Sequence, residues 1–151
     1  RAAEVSRWER SIDEKRWLHA EWDDARFMPR RRGLLGFCSN TGITFDLAAV
    51  RRAYPGALPR AFRAMAGIPD LRQVCPDADG LVDLWVFVDG RLLFERKQLR
   101  PSDGVLELDV PLTDSDNYLT LAVTDGGDKH AYAWDWVVFG DPVLEMSTIN
   151  D

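Results

Sequence analysis

The chain has 151 residues, 46% of them apolar and 29% charged, and a formal net charge of −6. That length supplies one domain with a core of its own, and the composition excludes a wholly disordered chain. No apolar run approaches the ~20 residues of a membrane-spanning helix, so no direct membrane insertion is expected. A pI near 4.9 argues against general nucleic-acid binding. Residues 1–35 hold nine basic and seven acidic side chains, whereas residues 36–151 hold ten basic and eighteen acidic, fifteen of them Asp. Asp disfavours strand and helix interiors and favours turns and oxygen-rich cation sites. The pattern is that of a turn-rich fold behind a mildly basic opening segment. The chain opens on Arg1 with no Met before it, as an excised piece of a larger protein would.

Residues 2–26 contain no Gly or Pro, and Val5, Trp8, Ile12, Leu18 and Trp22 fall roughly on one helical face. The spacing predicts an amphipathic helix, also carrying Trp17 and ended by Pro29 and the run Arg30-Arg31-Arg32-Gly33. From Gly33 onward the period becomes two. Ile43, Phe45 and Leu47 alternate with Thr44 and Asp46 as in a half-buried strand. Pro55, Gly56 and Pro59 forbid a long helix over residues 48–61, and Phe62, Ala64, Ala66 and Ile68 alternate again. Residues 81–88 are apolar at nearly every position, which predicts a central strand covered on both sides, with Trp85 in the core. Asp89-Gly90 is a two-residue hairpin signal leading into residues 91–94.

Leu106, Leu108 and Val110 form the next alternating set, and Leu119, Leu121 and Val123 the one after it. A last strand is expected over residues 132–139, closed by Gly140-Asp141-Pro142. About seven short strands separated by turn signals indicate an antiparallel β-sandwich, and no strand–helix alternation supports a parallel sheet.

Catalytic signatures are sparse. The chain has two histidines, His19 and His130, no G-x-S-x-G elbow, and no Gly-rich phosphate loop ahead of a helix. Cys38 and Cys75 are too few for a zinc framework and fit either a disulfide or two buried free thiols. Carboxylates are so numerous that no pair singles itself out for glycoside hydrolysis. The chain reads as a non-enzyme, with a glycosidase the remote alternative.

The richest stretch is residues 123–142. Asp125-Gly126-Gly127-Asp128 suffices for a turn between strands. Its carboxylates with loop carbonyls could equally serve a hard cation, although the spacing is not that of an EF-hand. In a strand over residues 132–139, Tyr132, Trp134 and Trp136 share one face. Such a face either forms core or stacks on a sugar ring whose hydroxyls bond to nearby Asp and His groups.

An ordered set of segments carries a family resemblance: Gly33-Leu-Leu-Gly36, Gly42-Ile-Thr-Phe-Asp-Leu47, Phe62-Arg-Ala-Met-Ala-Gly-Ile68, Val86-Phe-Val-Asp-Gly90, Leu121-Ala-Val-Thr-Asp-Gly-Gly-Asp128 and Asp135-Trp-Val-Val-Phe-Gly-Asp-Pro142. Together, over about residues 33–145, they resemble the NPCBM carbohydrate-binding modules, which are related to the family 51 carbohydrate-binding modules. The resemblance implies a jelly-roll β-sandwich that binds sugars without catalysis, often beside a glycosidase or in a large bacterial extracytoplasmic protein. It also implies a galactose-type glycan partner and a structural calcium. Two family patterns depart here. G-x-G-x-H has its glycines near Gly33 and Gly36 but Phe37-Cys38 at the His, and D-H-A-x-W is met by Asp135-Trp136-Val137-Val138-Phe139.

The expectation is therefore an all-β chain. Residues 1–32 would be a helical N-terminal extension, 33–146 the jelly-roll antiparallel β-sandwich and 147–151 a tail. Its function would be that of a non-catalytic carbohydrate-binding module of a larger extracytoplasmic (secreted or cell-surface) bacterial protein, with the other domains of the parent chain as neighbours. The alternative is a structural or protein-interaction module whose sugar site is lost. Tyr132, Trp134 and His130 would contact sugar, and Asp125, Asp128 and Asp141 would hold calcium.

Overall fold

The computed structural model describes residues 33–69, 79–127 and 134–148. The helix expected over residues 2–26, with its three tryptophans, lies outside the described residues, as do Cys75, Asp128, His130 and Tyr132. The strands are β1 Leu34–Cys38, β2 Thr41–Asp46, β3 Ala57–Gly67, β4 Val82–Val88, β5 Arg91–Leu99, β6 Leu106–Pro111, β7 Tyr118–Asp125 and β8 Trp136–Thr148. One seven-residue helix, α1 Leu47–Ala53, follows β2.

The strands form two four-stranded sheets in the orders β1-β8-β3-β6 and β2-β7-β4-β5. Every recorded pairing is antiparallel. Eight strands divided in this order make the double-sheet jelly roll. β8 continues to Thr148, two residues past the expected end of the sandwich at residue 146.

The two-residue period builds the core. Val82, Leu84, Val86 and Val88 of β4 are fully buried, as are Leu119, Leu121 and Val123 of the neighbouring β7. Facing them from the other sheet are Phe62, Ala64 and Ala66 of β3, Leu108 and Val110 of β6, and Val137 and Phe139 of β8. Phe37 packs edge-on against Phe139, with ring centroids 5.3 Å apart. Helix α1 starts where Asp46 accepts a hydrogen bond from the Ala49 N–H at 2.7 Å, and Leu47 fills the core beneath it.

Three expectations about strands change. First, Trp85 is not a core residue: it alternates with the buried β4 valines and leucine, so it stands on the outer face and is half-buried. Second, the last strand begins at Trp136 rather than at residue 132. Third, Gly140-Asp141-Pro142 does not close it. Asp141 adopts φ 47°, and the β3–β8 register shifts by one residue between Arg63/Val143 and Met65/Gly140. This is a β-bulge, which accommodates Pro142 without ending the strand.

A polar network orders the opposite end of the sandwich from the β1–β2 turn. Both carboxylate oxygens of Asp89, in the hairpin turn, accept from the Asn117 N–H, and Oδ1 also accepts from Tyr118. Asp116, only 3% exposed, accepts from Arg91 Nη2 at 2.6 Å and from the Thr113 N–H at 2.7 Å. Removing that carboxylate leaves the Thr113 N–H and the Arg91 guanidinium without their acceptor. Asp116→Ala is expected to lower unfolding free energy by about 2 kcal/mol, measured by urea denaturation. A variant unfolding at the wild-type midpoint would show that the network is dispensable.

Candidate functional site

The β1–β2 turn, the start of β4, the end of β7 and the entry to β8 meet at one end of the sandwich. Asp135 joins them. It is 2% exposed, its carbonyl accepts from the Ser39 N–H at 2.8 Å, and its Oδ1 accepts from the Leu81 N–H at 2.8 Å. The Gly126 N–H donates to the Leu81 carbonyl at 3.0 Å, closing the ring of segments. Sequence patterns did not mark Asp135 for this part, because an Asp between two Trp residues carries no local signature.

Trp134 sits just before β8 in a tight bend with φ 69°, and its carbonyl accepts from the Trp136 N–H at 3.0 Å. It is half-buried and precedes the strand, so it does not share a strand face with Trp136. A Cβ on Gly80 would approach the Trp134 carbonyl oxygen to 2.6 Å, so the bend is packed tightly from below. Trp136 pairs with Cys38 across the β1–β8 ladder. The ends of the 128–133 segment, Gly127 and Trp134, both belong to this end of the fold, whereas the positions of His130 and Tyr132 lie outside the described residues.

Asp125 also lies here, at the end of β7. Its Oδ2 accepts from Asn40 Nδ2 at 3.2 Å and its Oδ1 from the Gly127 N–H at 3.1 Å. Asn40, with φ 58°, holds the β1–β2 turn from the other side. These are the contacts of a turn-forming Asp.

Asp141 is elsewhere. Its N–H donates to the Gly33 carbonyl at 3.1 Å, at the start of β1, while Asn40 and Asp125 stand beyond the end of that strand. Five residues of β1 separate the two acids by roughly 17 Å. They do not share one cation. Asp141 Oδ1 is buried with no hydrogen-bond partner, whereas both Asp125 oxygens are engaged. Among the described residues, no group of three His, Cys, Asp or Glu side chains is arranged to hold a metal.

Phe37 and Cys38 occupy the place of a family histidine. Phe37 turns into the core, and Cys38 is a free thiol on an exposed residue. Local burial of the sulfur nevertheless pushes its pKa up, which disfavours the thiolate at neutral pH and with it any nucleophilic role.

The sequence profile of the NPCBM/NEW2 domain matches residues 35–145. No curated protein matches the chain. Among solved structures, the CBM51 from Clostridium perfringens GH95, in complex with methyl-galactose, superposes with a TM-score of 0.60 at 21% identity, covering 73% of this chain and 68% of that one. CBM51-2 with the INT domains of Clostridium perfringens ZmpB, in complex with GlcNAc, gives 0.55 at 24% identity and covers 71% of this chain. The tandem CBM51 modules of the Streptococcus pneumoniae family 98 glycoside hydrolase give 0.56 at 18% identity and cover 76%. The chain spans only 20% and 32% of those last two chains. At these identities the likeness is one of fold.

The packing at Gly80 sets a stability test. Gly80→Ala should cost about 1–3 kcal/mol, because a methyl there must displace backbone at Trp134. Gly36→Ala, with nothing within 4 Å of the added carbon, should leave the thermal midpoint nearly unchanged. Equal midpoints for the two variants would show that Trp134 is not held from below.

Proposed function

Because the chain belongs to the NPCBM/NEW2 domain family, we propose that it is a non-catalytic carbohydrate-binding module of a larger bacterial extracytoplasmic protein, with its sugar site at the sandwich end built around Trp134. The observation that supports this site is the Asp135-anchored bend that holds a partly exposed Trp beside the ends of the 128–133 segment. An aromatic ring held in place presents an apolar plane to a pyranose, and neighbouring polar side chains bond its hydroxyls. His130 and Tyr132, four and two residues before Trp134, are the proposed partners. The methyl-galactose and GlcNAc complexes of the similar modules favour a neutral pyranose, galactose-type in the first instance.

Binding needs no bond chemistry, and the reading assigns no catalytic residue. A glycan array should show binding to neutral galactose- or GlcNAc-terminated glycans, and Trp134→Ala should weaken it roughly tenfold, equivalent to about 1.4 kcal/mol. No binding to any neutral or acidic glycan would overturn the reading. It would favour the alternative, a structural or protein-interaction module, toward which the core placement of Phe37 already points.

Calcium is proposed at Asp141 rather than at Asp125. A buried carboxylate oxygen without a donor suits a hard cation, which would draw its remaining oxygens from backbone and water. Chelator should then lower the thermal unfolding midpoint of the wild type and leave Asp141→Asn unaffected. Wild-type unfolding that ignores both calcium and chelator would remove calcium from the account.

A further inference from the structure

The two outer faces of the sandwich differ in chemistry. On the β1-β8-β3-β6 sheet, Arg63 lies between Asp109 at 3.3 Å and Glu145 at 3.2 Å, a charged ladder across three strands. On the β2-β7-β4-β5 sheet, the registers place Gly42, Ala122, Trp85 and Glu95 in one outward row, and Thr44, Thr120, Phe87 and Leu92 in the next. The middle of this face is aromatic and its β2–β7 side is lined by small residues.

The two rings are nearly parallel, at 17°, with centroids 6.5 Å apart. That separation matches the roughly 6.7 Å between successive same-face positions of a strand. The indole is held: Trp85 Nε1 donates to Thr124 Oγ1 at 2.9 Å. Leu92, 44% exposed, extends the platform on the β5 side.

Lys97 Nζ lies 5.2 Å over the Trp85 ring and pairs with Glu95 at 3.5 Å, and Asp83 accepts from the Gln98 N–H at 2.7 Å. Thr44 and Thr120 share a hydrogen bond of 2.9 Å and leave lone pairs toward solvent. The paired rings and the hydroxyls beside them complement a ligand with an apolar ring face and peripheral hydroxyls.

We propose that this outer face, centred on Trp85 and Phe87, is a second carbohydrate-contact surface, distinct from the Trp134 end and suited to neutral pyranose units of an extended glycan. The class of ligand rests on the carbohydrate-binding reading above; the location does not. Two surfaces on one module would hold a polysaccharide at separate points, so that loss of either weakens retention more on a polymer than on a monosaccharide.

Affinity electrophoresis of the full chain through a neutral galactan, with calorimetry on methyl-galactoside, separates the cases. Trp85→Ala and Phe87→Ala are expected to weaken retention on the polymer at least fivefold, with monosaccharide binding nearly unchanged, while Trp134→Ala reduces both. Ala122→Arg, which places a long side chain beside Trp85 in the same outward row, should reproduce the loss even if an aromatic deletion fails to fold. Wild-type retention matched by the Trp85, Phe87 and Ala122 variants, with loss only in Trp134→Ala, would overturn the second surface and leave the proposed function standing. A change of oligomeric state in Trp85→Ala without change in retention would also overturn it, since a second copy would then cover the face. A wild type that binds neither probe would remove the carbohydrate reading and this surface with it.

Discussion

Two hydrogen bonds to one buried residue fix the end of this sandwich. Asp135 lies in neither sheet, yet its carbonyl holds the β1–β2 turn through Ser39 and its carboxylate holds the entry to β4 through Leu81. Those contacts reach one strand system in each sheet, so the two layers are tied by polar contacts as well as by the core between them. A carboxylate is tolerated at such depth only where donors meet it. Its neighbour Trp134 inherits the constraint: the bend that exposes part of the Trp exists because the next residue is committed inward. The candidate sugar site is in this sense a by-product of sheet docking.

Much of the fold was legible in the sequence. Phe62, Ala64 and Ala66, the Leu119–Leu121–Val123 alternation and the Asp89-Gly90 hairpin follow from period and turn chemistry, and these elements lie where expected. Trp85 was misread for a reason that the pairing makes plain. A run with apolar residues on both faces has no visible period, and the row that Trp85 joins on the outer face, with Gly42 and Ala122, comes from strands remote in sequence. Gly140-Asp141-Pro142 carries every mark of a strand end. It is a bulge because Asp141 adopts a left-handed conformation that composition does not announce.

The site was less legible than the fold. Asp125 and Asp141 have similar local surroundings, each beside glycine at a turn signal, and nothing local tells which acids converge. The β1 strand does: one acid stands at each end of it. Likewise, Asn40 and Gly80 matter only through partners far along the chain. The aromatic residues are the reverse case, conspicuous in the sequence but assignable to core, bend or outer face only once the sheets are paired.

The edges of the sheets carry a consequence of a different kind. Among the described residues the four edge strands are β1, β6, β2 and β5, and each is a poor template for another strand. β1 and β2 have five and six residues, β6 carries Glu107 and Asp109 and ends on Pro111, and β5 carries Arg91, Glu95, Arg96 and Lys97 along two irregular registers. Backbone zippering between neighbouring modules is thereby discouraged on every open side. What this module offers its surroundings is side chains, on its faces and loops, and copies of it can stand close together without fusing.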